Sequence, residues 1–141
     1  MRINLMTDYA VRIVCCMHEC EEGVITSSQI SKKEGISHGI LMKVLKQLRE
    51  EGIVISYRGR GQVVGGYKLR RTVKEITLLD IIEMMEGTLK LENIRSRGEG
   101  TTIYIGDDMI LAEYRRLSEV FRNEMKKNTL YEILKRGKIT E

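Results

Sequence analysis

The sequence predicts a mainly helical fold with one small β-hairpin, which places the chain in the α+β class. Apolar residues recur at helical spacing in several segments, and capping residues precede most of those segments. A β-branched run is followed by a glycine-rich loop and a second short strand. With 141 residues, the chain is long enough for one compact domain joined to a helical arm.

The first helical segment carries apolar residues at positions i, i+3, i+4 and i+7. They are Ala10, Ile13, Val14 and Met17. Thr7 and Asp8 precede this stripe, and both are residue types that cap the N-terminus of a helix. The pattern therefore predicts a helix that one of them caps and that runs to about Cys20.

Two further helices follow, separated by a tight turn. Thr26, with Gln29 three residues later, forms a capping-box signal and predicts a short second helix that ends at Gly35. Ser37 is the predicted N-cap of a third helix, which ends at Gly52. Its buried stripe consists of Ile40, Leu41, Val44, Leu45 and Leu48. Two short helices joined by a turn that contains glycine predict a helix-turn-helix.

A hairpin is predicted directly after the third helix. The β-branched residues 53–55 and the following Tyr57 indicate a first strand, and residues 67–69 indicate a second. The loop at 58–66 is rich in Gly and Arg. A helix-turn-helix extended by such a hairpin is a winged helix-turn-helix.

The rest of the chain predicts a fourth helix, a linker and a long charged helix. Thr77 caps the fourth helix and Gly87 closes it, whereas residues 88–106 show no clear periodicity. The charged helix at about 107–127 has an apolar seam narrow enough for helix pairing. The seam consists of Ile110, Tyr114, Leu117 and Phe121. We therefore expect a DNA-binding domain at 1–87, a linker at 88–106, and a dimerisation helix with a C-terminal segment at 107–141.

Charge and hydropathy narrow the possible functions. Residues 1–75 contain 13 Lys and Arg against 8 Asp and Glu, whereas residues 76–141 contain 11 against 12. A basic first half suits a module that faces phosphates, although a solvated charged surface has a similar composition.

No segment approaches the roughly 18 apolar residues of a membrane span, and the N-terminus lacks the apolar core of a signal peptide. We expect a cytoplasmic protein without membrane contact.

The third helix and the wing carry the candidate DNA-binding side chains. A helix in the major groove buries one face and presents the other to base edges, so that lysines can contact phosphates or guanine and Gln47 can contact adenine. Met42 can contact only apolar groups such as a thymine methyl. In the wing, Gly59 separates two arginines and lets the backbone approach a phosphate or a narrow minor groove. The candidates are Ser27, Ser28, Ser37, His38, Gly39, Met42, Lys43, Lys46, Gln47, Arg58, Gly59, Arg60 and Tyr67.

These features also have simpler interpretations. Lysine and glutamine are common on any solvated helix face. The glycine-rich loop is not a nucleotide-binding loop, because it lacks the strand-to-helix setting and the Gly-Lys-Ser/Thr ending.

Seven segments resemble one family of bacterial regulators. They are MTDYA at 6–10, GIS at 35–37, LREEGIV at 48–54, SYRG at 56–59, GGYKL at 65–69, ITLLDII at 76–82 and TL at 129–130. Together they resemble the Rrf-type winged-helix repressors typified by the iron-sulfur cluster regulator, the nitric-oxide-sensitive repressor and the cysteine-metabolism repressor (IscR, NsrR and CymR). The resemblance covers nearly the whole chain. It departs at the wing, where five residues, 60–64, stand in place of the usual two.

The resemblance implies how such a protein binds DNA. Arg58 would enter the minor groove, the third helix would lie in the major groove, and the long helix would pair two subunits on a palindromic operator. Met42 stands where the cluster regulator has an acid that discriminates between sequences. The partners implied are double-stranded DNA and a second copy of this chain.

Many members of this family bind an iron-sulfur cluster through three cysteines between the fourth helix and the dimerisation helix. Here residues 88–106 contain neither Cys nor His, so we expect no cluster and no other cofactor or metal. Asp8 matches the helix-one acid that serves as a ligand in some members. A lone carboxylate holds no cluster, and a capping role is the simpler interpretation.

The three cysteines, Cys15, Cys16 and Cys20, all lie on the first predicted helix. Cys15 points almost opposite to Cys20, so a regular helix does not easily direct all three to one metal ion. Buried core thiols are the simplest interpretation, and thiol-based redox sensing is the alternative.

The sequence leaves three hypotheses for the function. The first is a dimeric repressor, the second a winged-helix protein-interaction module without DNA readout, and the third a redox-sensing regulator. An unknown effector or partner protein could supply the signal. The two histidines, His18 and His38, lie in no nucleophile or metal motif, so we expect no enzyme.

Overall fold

Six helices and one hairpin make up the part of the chain that a computed structural model describes, residues 3–20, 23–61, 65–88 and 105–140. The elements are α1 (Leu5–His18), α2 (Ser27–Glu34), α3 (His38–Glu50), β1 (Val54–Tyr57), β2 (Gly66–Leu69), α4 (Leu78–Glu86), α5 (Ile105–Lys126) and α6 (Leu130–Thr140). The predicted fold class, mainly helical with a β-wing, is confirmed.

Helix α1 is central, since it contacts α2, α3, α4 and β2. The core between these elements is aliphatic. Its fully buried side chains include Ile13, Val14, Ile30, Leu41, Leu45 and Leu48. Burial of each such side chain contributes about 1.5–3 kcal/mol, so this cluster holds the helix-turn-helix together.

The first helix begins earlier than its apolar stripe predicts. Asn4 is the N-cap, and its side-chain oxygen accepts a hydrogen bond from the Met6 backbone N–H at 2.9 Å. The prediction that Thr7 or Asp8 caps α1 was wrong, because both residues lie inside the helix. Thr7 is buried there, and Asp8 forms an ion pair of 2.7 Å with Arg12 one turn later.

The helix-turn-helix follows the predicted signals closely. Thr26 and Gln29 form both hydrogen bonds of the capping box, at 2.9 and 3.1 Å. Gly35 adopts the left-handed conformation, with a φ of 65°, which turns the chain from α2 into α3. Ser37 is the N-cap of α3 as predicted, but its side chain forms no capping hydrogen bond.

Helix α4 and the long helix α5 pack against each other. Thr77 and Asp80 form a second capping box at the start of α4. Arg122 of α5 donates to both carboxylate oxygens of Glu83 on α4, at 2.7 and 3.3 Å. Ile105 and Gly106, which were predicted to lie in the linker, are helical, and residues 89–104 of that linker lie outside the described residues.

The C-terminal helix α6 is an element that the sequence pattern did not predict. Its first residue, Leu130, is 2% exposed and belongs to the core of the helix-turn-helix domain. The backbone N–H of Leu130 donates to the Ile76 carbonyl oxygen at 2.8 Å, and that of Tyr131 donates to the Val73 carbonyl oxygen at 3.1 Å. The chain after α5 therefore returns to the first domain. None of the described helices combines the length and the apolar character that crossing a membrane requires.

We expect Leu130→Ala to lower the free energy of unfolding by about 2–5 kcal/mol, because it removes a buried leucine and leaves a cavity in the core. Ile133→Ala is the matched control, since Ile133 lies one turn further along α6 and is 37% exposed. That change should cost less than about 1 kcal/mol. Urea denaturation followed by circular dichroism measures both. Equal effects would mean that α6 does not dock through Leu130.

Candidate nucleic-acid interface

One face of α3 is open to solvent. Leu41, Val44, Leu45 and Leu48 are buried, which turns the opposite side of the helix outward. The exposed residues of this helix include His38, Gly39, Met42, Lys43 and Lys46. All five are among the predicted DNA-binding residues. The sixth predicted residue of this helix, Gln47, is half-buried at the edge of that face.

The three predicted serines lie at the starts of α2 and α3, the two helices joined by the turn at 35–37. Ser27 is half-buried and Ser28 is exposed in the first turn of α2, and Ser37 is exposed at the N-cap of α3. The turn itself is fixed by Ser31, whose hydroxyl donates to the Ile36 carbonyl at 2.6 Å. Sequence reasoning missed this bond, although a serine just before a helix-ending glycine is a residue type that often bonds nearby backbone.

The wing presents both of its predicted arginines to solvent. β1 and β2 pair antiparallel, from Val54 opposite Leu69 to Tyr57 opposite Gly66. Arg58, Gly59 and Arg60 follow β1 directly and are exposed. Residues 62–64 at the tip, within the longer wing segment noted in the sequence, lie outside the described residues.

The glycines of the returning strand are required by close backbone contacts. A Cβ atom on Gly65 would lie 2.6 Å from the Tyr57 carbonyl oxygen, and one on Gly66 would lie 2.7 Å from that of Ile25. Neither has a positive φ, so glycine is required at both positions by the lack of space for a Cβ atom rather than by left-handed backbone.

Tyr67 joins the wing to two other parts of the domain. Its backbone exchanges two hydrogen bonds with Ile25, at 2.7 and 2.9 Å, and it also pairs with Ser56 in β1. Its hydroxyl reaches α3, where it donates weakly to the Met42 sulfur at 4.0 Å. Sequence reasoning missed the role of Ile25; the β-branched pair at 24–25 is the only signal for a short extended segment there.

Lys68 is a further cation of the wing that the sequence analysis did not select. Its Nζ lies 4.9 Å from the ring centroid of Tyr57, an exposed aromatic residue at the end of β1. A cation held over an aromatic face at the base of the wing adds positive charge beside Arg58.

The predicted dimerisation seam of α5 is exposed along its whole length. Ile110, Tyr114, Leu117 and Phe121 are 38–51% exposed, and the neighbouring Met109 and Val120 are 70% and 53% exposed. Helix α5 contacts α4 through a different face, which contains the buried Ser118 and the half-buried Arg122. An apolar stripe therefore remains uncovered beside the packed face.

The three cysteines lie in different surroundings, and Cys20, which was predicted to lie on the first helix, follows the C-cap Glu19. Cys16 is buried, whereas Cys15 and Cys20 are partly buried, and the Cys20 thiol donates to the Val24 carbonyl at 3.6 Å. Burial, with smaller contributions from Glu19 and Glu34, raises the pKa of Cys15 to about 11. Burial likewise raises the pKa of Cys16. Both shifts reduce the thiolate that oxidation requires, which disfavours redox sensing at this pair.

Two comparisons with known proteins bear on this geometry. A family model named Rrf2 and described as an iron-dependent transcriptional regulator matches residues 3–136. The chain belongs to the Rrf2 family. A relative from Mycobacterium tuberculosis, named as an HTH-type transcriptional regulator, is 30% identical over 135 residues, which are 94% of this chain and 81% of the relative.

Solved structures have the same fold. A transcriptional regulator from Listeria innocua is 26% identical with a TM-score of 0.75, covering 96% of this chain and 87% of that one. CymR, the global cysteine regulator of Bacillus subtilis, is 22% identical with a TM-score of 0.72, covering 94% and 95%. This Rrf2-family protein is thus a DNA-binding transcription regulator with a winged helix-turn-helix, and it is not an enzyme.

The described residues of this Rrf2-family chain provide no site for the iron named in the family description. Among the described residues, no three His, Cys, Asp or Glu side chains are arranged to hold a metal ion. Residues 89–104, outside the described part, contain neither Cys nor His in the sequence. Of the three cysteines, Cys15 and Cys16 lie on α1, where Cys16 is buried, and Cys20 lies just beyond the helix and bonds a carbonyl. The donor set does not match a thiolate-ligated cluster.

We expect Cys15 to react slowly with iodoacetamide in the folded protein. With a pKa of about 11 in place of 9.0, the thiolate fraction at pH 8 falls about a hundred-fold, and the rate should fall with it. The measurement uses a Cys16→Ala, Cys20→Ala variant followed by mass spectrometry. The same variant unfolded in urea is the control, and equal rates in the two states would contradict the raised pKa.

Proposed function

We propose that this Rrf2-family protein is a repressor that binds a palindromic operator as a homodimer, with α3 in the major groove and the wing arginines in the minor groove. The observation that carries the proposal is the contact between Tyr67 and Met42, because it places the wing beside the open face of α3. One continuous surface then contains both a helix for the major groove and a basic hairpin for the adjacent groove.

The charges on this surface suit two kinds of DNA contact. Lys43 and Lys46 on α3 can neutralise phosphates or bond to guanine acceptors in the major groove. Arg58 and Arg60 follow a strand directly and are separated by a glycine, so their guanidinium groups can enter a narrow minor groove, where the negative potential is enhanced. Lys68 would strengthen the attraction to the backbone.

The homodimer is proposed from the uncovered stripe on α5. Six large apolar side chains exposed along one 22-residue helix form the kind of patch that marks an association site. Pairing α5 with its copy would bury the stripe on both chains by a two-fold axis, and a two-fold protein requires a palindromic site.

We also propose that operator binding in this protein requires no iron-sulfur cluster. The proposal is supported by residues 88–106, which contain neither Cys nor His, and by the described residues, among which no three donor side chains are arranged to hold a metal ion. The signal to which the repressor responds would then be a small ligand or a partner protein.

We expect Arg58→Ala to weaken operator binding by about 1–3 kcal/mol, since it removes a close contact with DNA. Titration of a fluorescent operator duplex at fixed salt measures the change. Arg12→Ala removes the same charge from α1, where the side chain is 57% exposed and paired with Asp8. A similar loss in the two variants would assign the effect to net charge rather than to the wing.

We expect Leu117→Glu to convert the dimer to a monomer, because it places a charge in the middle of the apolar stripe. Ala112→Glu is the control, as Ala112 is exposed and lies two residues from Ile110, about 200° around the helix. Sedimentation velocity at micromolar concentration distinguishes the two states. A monomeric wild-type protein would refute the proposed homodimer.

A further inference from the structure

Gly39 has no role that the fold explains. It lies in the first turn of α3, its side of the helix is exposed, and a Cβ atom added to it would meet nothing within 4 Å. It is not among the glycines with positive φ. Glycine destabilises a helix relative to alanine, so a residue with a side chain at this position would make the folded chain more stable. The glycine instead leaves the backbone of α3 open to a molecule that approaches from outside.

Met42 lies one turn further along the same face. In α3, every residue of which the structure describes, it is the one exposed large apolar side chain, at 37% exposure. Residues three apart on a helix are neighbours, so the bare backbone at Gly39 and the thioether of Met42 form one small apolar surface. Lys43 and Lys46 flank it on the exposed side.

Tyr67 limits where the Met42 side chain can point. Its hydroxyl donates to the Met42 sulfur at 4.0 Å, and its backbone is held on both sides by Ile25 and by Ser56. Methionine is flexible, and a contact from a fixed strand reduces the number of positions that its thioether occupies. Tyr67 is therefore a positioning residue for Met42.

We propose that Gly39 and Met42 form a subsite that reads the methyl group of a thymine in the major groove. The methyl would lie over the Gly39 backbone and against the Met42 thioether. Thymine is the one base that presents a methyl group in that groove, and apolar contact is how side chains recognise it. The flanking lysines favour DNA over an apolar protein partner. This inference rests on the proposed function and adds to it one base of the operator.

The test removes a single methyl group from the DNA. An operator is first selected from random duplexes with the full-length protein, and each thymine in one half-site is then replaced by uracil in turn. The subsite predicts one position at which uracil weakens binding about four-fold, the effect expected for one buried methyl. Met42→Ala should weaken binding to the thymine duplex and show no further loss with uracil at that position.

Three variants separate this subsite from a general effect. Lys46→Ala should bind both duplexes more weakly and keep the four-fold ratio. Tyr67→Phe should reduce the ratio and leave the melting temperature nearly unchanged. Gly39→Ala should raise the melting temperature and nevertheless weaken operator binding, because its methyl occupies the space of the thymine methyl.

Two results would overturn the inference while leaving the repressor intact. One is a selected operator in which no thymine-to-uracil replacement causes a loss of binding that Met42→Ala abolishes. The other is a Gly39→Ala protein that binds the operator as tightly as the wild type. If no sequence is enriched from the random duplexes, sequence-specific binding fails, and the subsite fails with it.

Discussion

The geometry of α3 depends on one constraint: an amphipathic helix at the surface of a domain buries only its apolar side. Leu41, Val44, Leu45 and Leu48 occupy that side because α1 and α2 offer the aliphatic surface against which they pack. The opposite side is then fixed to within a few degrees by the 100° turn per residue. The same packing therefore determines which residues of α3 stabilise the domain and which are available for recognition.

The wing would be marginal without the rest of the domain. An isolated two-stranded hairpin is barely stable in water, and β1 and β2 are only four residues each. The backbone of Ile25 gives β2 a second partner besides β1. The residue before β1, Ile53, is tied to α3, because its N–H donates to the Leu48 carbonyl at 2.9 Å. The base of the wing is consequently tied by backbone hydrogen bonds to two other parts of the domain.

Much of this fold could be predicted because its signals are local. Capping boxes at Thr26 and Thr77 and the left-handed Gly35 act within one helical turn, so the sequence nearby determines them. The cap of α1 was misassigned for the same local reason: its apolar stripe begins a full turn after Asn4, and two good capping residues stand in between. Helix starts are the least certain part of such a pattern.

What the sequence could not predict depends on contacts between distant segments. Nothing near Ile25 indicates that it pairs with residue 67, and nothing near Glu83 indicates that it receives Arg122, 39 residues later. The candidate interface likewise combines features set by local sequence with contacts between distant segments. The exposed face of α3 was predictable from periodicity, whereas the contact from Tyr67 to Met42 required the fold to bring wing and helix together.

The docking of Leu130 has a consequence for how any signal could act. Leu130 belongs to the same core as α1 and α3. Detachment of α6 would therefore leave a cavity in the body of the domain that carries the DNA-binding surface. Release of α6 would also expose the core of that body and destabilise it. An effector that binds the C-terminal region would therefore have to tilt or shift intact helices. An order–disorder switch at Leu130 would disrupt the DNA-binding domain that it is meant to control.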